Sequence, residues 1–168
     1  MVNIPPPRLD TYRKEGDHVF VSELHNENER AVNERLATFL GEKTGDVVYL
    51  LPHIQPTQRD AERLRKEYFP KGVKENKNPD FYFRGRFVDG KCMTSIIVET
   101  DDSKVFKRKI QNRLENAFEQ AEDALLEIPT WIPLELIKEA IRGKLSSSRR
   151  LHIVYVKYGD EMVIFEGK

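Results

Sequence analysis

The chain has little cysteine, no long apolar run and no excess of either charge. Its single cysteine, Cys92, excludes an intrachain disulfide and a cysteine-rich zinc module. A reducing compartment fits that usage, so the expected location is a cytoplasm, its own or that of a cell into which it is delivered. No apolar stretch approaches the roughly eighteen residues of a membrane-spanning helix, so no span is expected. The N-terminus lacks a basic region followed by an apolar one, and no cleavable signal is expected. The 28 basic and 28 acidic residues cancel, whereas many nucleic-acid binders carry a basic excess. Neutrality still allows a local patch to steer a polyanion. Two stretches are locally basic: Arg59 to Lys77, with Arg63, Arg65, Lys66, Lys71 and Lys74, and Lys104 to Arg113, with Lys107, Arg108 and Lys109. Either is equally readable as a solvated face.

At 168 residues, 39% of them apolar, the chain can bury the core of one ordinary domain. Residues 1–20, rich in proline and then polar, read as an extended arm, and residues 21–168 as a single domain. A helix is expected from Glu27 to Leu40, its stripe made by Ala31, Val32, Leu36, Phe39 and Leu40, ended by the Gly41 to Gly45 stretch. Asp46 to Pro52 reads as a buried strand. Thr57 caps a short helix through Tyr68, and residues 69–79 form a loop. Phe81 to Phe83 and Phe87 to Val98 are strand-like around a turn at Arg84-Gly85-Arg86. Ser103 caps a long helix to Ala121, with Phe106, Ile110, Leu114, Ala117 and Ala121 on one side. A strand over Ala124 to Ile128, a helix over Pro133 to Leu145 and a hairpin, Leu151 to Lys157 and Glu161 to Phe165, close the chain. Helices interleaved with short apolar strands predict an α/β layer structure with a mixed sheet.

Hydrolysis of a phosphodiester needs a divalent cation on oxygen ligands and an activated water, often beside a fixed positive charge. Asp80 begins a strand directly after Pro79, which blocks helix there. Asp89 and Lys91 lie two residues apart, and in a strand such residues share a face. A turn at Gly85 folds them back towards Asp80. Asp89-Gly90 is itself a hairpin-turn dipeptide, however, and a turn there makes Asp89 and Lys91 ordinary turn residues. Local chemistry leaves both registers open.

The pattern Pro79-Asp80 followed by Asp89-Gly90-Lys91 resembles the PD-(D/E)XK nuclease superfamily. The likeness extends from about residue 22 to 166 towards the nuclease toxin domains at the C-termini of CdiA-type contact-dependent-inhibition proteins, and their phage and mobile-element relatives. It takes in Val48 to Pro52, Lys77 to Phe81, Gln120-Ala121 on a long helix, a strand ending near Ile128 and the terminal hairpin. The resemblance implies a restriction-endonuclease-like mixed sheet flanked by helices. It implies that Asp80 and Asp89 hold a divalent metal (magnesium, with manganese or zinc as alternatives) and that Lys91 is the catalytic lysine. RNA, and tRNA in particular, is the implied substrate, with DNA second and an immunity protein as a partner. Gly90 departs from the pattern, because that position is usually apolar and points into the core.

Relatives often add a glutamate from the first helix. Glu29, three residues before Val32 and seven before Leu36, is the candidate, with Glu27 the runner-up; either also suits the positive end of a helix. Lys109, Arg113 and Gln120 fall on one side of their helix and, with Lys77, are the candidate phosphate contacts, unless that side is a solvated flank. His18, His25, His53 and His152 show no metal-ligand spacing. Trp131 reads as a packing anchor. Two other readings stay open: a nucleic-acid- or partner-binding module of the same fold with a decayed site, and a protein that neutralises a nuclease.

Overall fold

The computed structural model describes residues 3–70, 73 and 77–167. Lys71 and Lys74 of the first basic stretch lie outside the described residues. Within the described residues the fold is α/β, with four α-helices and a mixed sheet of eight strands that follow one another in chain order. The chain divides into two compact units, Met1–Val88 and Asp89–Lys168.

In the first unit, β1 (Tyr12–Lys14) pairs antiparallel with β2 (Val19–Ser22), so part of the segment expected as an arm is sheet. The helix α1 (Glu27–Thr44) starts at Asn26, whose side chain accepts the Asn28 N–H, and stops at Gly45 in the left-handed region. It thus ends within the expected Gly41 to Gly45 stretch, but runs past the expected Leu40 and through Gly41. A Cβ on Gly41 would come within 2.5 Å of the His18 Cβ. Close passage of the chain, not helix termination, is what requires glycine there. The buried residues are Asn33, Leu36, Ala37, Phe39, Leu40 and Gly41, so Leu36, Phe39 and Leu40 face inward as expected, whereas Ala31 and Val32 are exposed.

The strand β3 (Val48–Leu50) lies parallel to β2 and antiparallel to β4 (Phe81–Phe83), and between them α2 (Ala61–Tyr68) starts four residues after Thr57. The next strand, β5 (Arg86–Cys92), folds back on β4 with Phe81 opposite Val88. The two-residue turn Arg84-Gly85 has φ of 53° and 76°, the pair of positive values that suits strand twist in a tight hairpin. Arginine is held in that unfavourable region by an ion pair with Asp46, 2.6 Å away, and by the Phe83 ring, 5.0 Å away. Asp89-Gly90 therefore lies inside a strand, and the alternative turn is excluded.

In the second unit, β5 stops at Cys92, short of the expected Val98, because Met93 and Ile97 turn inward into the core. The helix α3 (Ser103–Gln120) is capped by Asp102, not Ser103: the Asp102 carboxylate accepts the Val105 N–H at 2.9 Å. Then come β6 (Asp123–Ile128), α4 (Leu134–Ser147), β7 (Ile153–Tyr158) parallel to β6, and β8 (Glu161–Glu166) in a hairpin with β7. Phe106, Ile110, Leu114 and Ala117 of α3 meet Ile137, Ala140 and Ile141 of α4 over Leu126, Val154 and Val156. Burying such side chains contributes about 1.5–3 kcal/mol each relative to exposure. Ile132 sits wholly inside this core, and the partly exposed Trp131 packs edge-on to Phe106, with ring centres 5.7 Å apart.

Candidate functional site

In the first unit, the approach to Asp80 is pinned by amide and guanidinium groups. Asn78 accepts the Ile54 N–H at 2.9 Å and donates to the Ile54 carbonyl at 3.0 Å, as a strand neighbour would. Arg65 donates to the Lys77 carbonyl at 3.0 Å and to the Ile54 carbonyl at 3.1 Å. Of the sequence-predicted residues, Lys77 thus serves here through its backbone. Its side chain is half-buried.

Asp80 is half-buried just before β4, and its carbonyl accepts the Leu51 N–H at 2.9 Å. The Leu51 carbonyl in turn accepts from His25 Nδ1 at 2.5 Å. That bond fixes the proton of the neutral ring on Nδ1 and leaves Nε2 as an acceptor. Asn33 Nδ2 lies 3.1 Å from His25 Nε2 and 3.5 Å from Asp80 Oδ1. Burial pushes the His25 pKa below its ordinary value, opposed by the hydrogen bond to Leu51 and by the charge of Glu29. Glu29 itself is exposed on the first turn of α1, one turn before Asn33. Glu27, the runner-up, is exposed and pairs with Arg30 at 3.3 Å.

Sequence reasoning set His25 aside as a lone histidine and did not single out Asn33. One signal was available. Asn33 has the helical phase of Leu36, Ala37 and Leu40, and a polar residue on an apolar stripe has to be hydrogen-bonded.

In the second unit, Asp89 is 3% exposed, and Lys91 Nζ stands 2.9 Å from its Oδ2. The expected sharing of a strand face is met. One strand further on, Glu127 of β6 accepts from Cys92 Sγ at 3.1 Å and pairs with Lys157 of β7 at 3.7 Å. Lys109 is committed within the fold, donating to the Ile96 carbonyl at 2.6 Å and to Asp101 at 2.7 Å. The Asp101 carboxyl is held below its ordinary range chiefly by that lysine. Arg113 and Gln120 are half-buried further along α3.

Among the described residues, no group of three or more His, Cys, Asp and Glu side chains is gathered as a metal centre. Asp80 and Asp89 are oxygen donors of the kind magnesium and manganese prefer, and buried Asp89 is paired with Lys91. The donor chemistry fits a hard cation.

These features define an α/β chain with a mixed sheet, carrying a supported aspartate in one unit and a buried aspartate–lysine pair in the other. No protein-family model, curated protein or solved structure matches it. No helix among the described residues is long and apolar enough to cross a membrane.

Proposed function

We propose that the chain is a metal-dependent endonuclease of the PD-(D/E)XK kind, cutting RNA first and DNA second, as a toxin-type domain would. The observation that supports this reading best is the hairpin turn at Arg84-Gly85. It pairs Phe81 with Val88 and leaves Asp89-Gly90-Lys91 inside a strand. The competing explanation of those residues as a turn is thereby removed.

Asp80, Asp89 and a glutamate of α1, Glu29 first, would hold the cation. When bound, a cation there would supply Lewis-acid stabilisation of developing phosphate charge. Lys91 stands beside Asp89, its Nζ 2.9 Å from Oδ2. Its ammonium then carries a fixed positive charge for an anionic phosphate. Arg113, Gln120 and Lys77 are the proposed phosphate contacts, and an immunity protein is the proposed partner in a cytoplasmic setting. Lys109 serves this role less readily, since a phosphate would have to displace Asp101 and a backbone carbonyl.

The test is nicking of plasmid and cleavage of RNA in Mg²⁺ or Mn²⁺. Asp80→Ala and Lys91→Ala should each abolish cleavage. If both cut like the parent, the assignment is wrong; if the parent neither cuts nor is stabilised by Mn²⁺, the chain is a binding module.

A further inference from the structure

Asn33 is 5% exposed on a helix stripe that is otherwise apolar. A buried amide costs free energy unless its hydrogens are used. Both hydrogens on Nδ2 have an acceptor: the bare lone pair of His25 Nε2 at 3.1 Å and the Asp80 carboxylate at 3.5 Å. Rotating the amide by a half-turn would set its oxygen against a lone pair on one side and a carboxylate on the other. The imidazole cannot switch tautomer to accommodate that, because Nδ1 donates to the Leu51 carbonyl. The N–H of the same residue, Leu51, donates to the Asp80 carbonyl. The two peptide groups of Leu51 thus hold both ends of the chain His25, Asn33, Asp80.

We infer that Asn33 is a positioning residue for Asp80, with neutral His25 as the group that locks its amide. The role assigned to Asp80 rests on the nuclease reading above. Asn33 aims the Oδ1 oxygen of the Asp80 carboxylate. Outer partners of this kind commonly change metal affinity about 10–100-fold when removed.

Two measurements test it. In metal-free ¹⁵N-labelled protein, Asp80→Ala should shift one side-chain amide proton of Asn33 and His25→Leu the other; if neither moves, the positioning role is overturned. Calorimetric titration with Mn²⁺ should show Asn33→Leu binding about tenfold more weakly than the parent. His25→Leu should weaken it similarly, and His25→Gln, which restores an acceptor near Nε2, should recover most of the affinity. Parent-like affinity in Asn33→Leu, with Asp80→Ala impaired, overturns the inference. If Asp80→Ala itself binds Mn²⁺ like the parent, the nuclease reading fails, and the amide resonances still decide what Asn33 holds.

Discussion

The pairing of Lys91 with Asp89 makes a prediction whose sign pattern is more informative than its size. At 2.9 Å and an effective dielectric of about 20, the attraction is about 6 kcal/mol. Dehydrating both groups offsets most of it. Lys91→Met leaves a carboxylate that is 3% exposed without its ammonium. Fully buried pairs lose about 3–5 kcal/mol in that situation. Because the Lys91 side chain is 23% exposed, about 2–3 kcal/mol is expected here. Asp89→Asn alone should cost about 1 kcal/mol, since a partly exposed ammonium can turn to solvent. The double variant should be more stable than Lys91→Met, with a coupling of about 2 kcal/mol. Urea unfolding of the four proteins, fitted with a shared slope, measures this. Additivity within about 0.5 kcal/mol would refute the reasoning. Under the nuclease reading, Mn²⁺ at about 100 times its dissociation constant should also return about 2.7 kcal/mol to any variant that still binds it.

Two further outcomes follow from the first unit. Gly41→Ala should lower stability by about 1–2 kcal/mol, although helix propensity alone predicts a gain of about 1 kcal/mol. The methyl would meet the His18 Cβ at 2.5 Å, and a higher melting temperature would sink that account. Because burial depresses the His25 pKa below 6.5, the unfolded chain binds more protons between the folded value and 6.5. The contribution of His25 is therefore complete above that pH and is lost as pH falls below it. Unfolding between about pH 7.5 and 5.5 should show a steeper loss in the parent than in His25→Gln, and parallel curves would contradict it.

The sequence disclosed the parts governed by neighbours along the chain. The stripe of α3 and the closing hairpin follow from spacing alone. The shared face of Asp89 and Lys91 follows from strand spacing once the turn is placed at Arg84-Gly85; local chemistry leaves that placement open, and only the family resemblance favours it. What stayed hidden depends on distant partners. Tyr12–Lys14 is short and mostly polar, and becomes a strand through pairing with β2. The sequence places the inward face of α1 correctly at Leu36, Phe39 and Leu40 but wrongly extends it to Ala31 and Val32, because Asn33 interrupts its apolar pattern. The groups that give Asn33 a reason to be buried are His25 and, 47 residues along the chain, Asp80. Gly41 looked like a stop because nothing local announces that His18 passes against it.

The turn at Arg84-Gly85 also bears on the order in which the chain folds. A two-residue loop closes about as fast as a hairpin can, within roughly 1–10 microseconds. The parallel pairing of β2 with β3 must wait for the whole of α1 to be spanned. The Phe81 to Val88 ladder is thus an early template on which slower pairings can register. A slip of one residue would turn Phe81 and Phe83 to the opposite face. Arg84, tethered to buried Asp46, makes the correct register the one that also satisfies a charge.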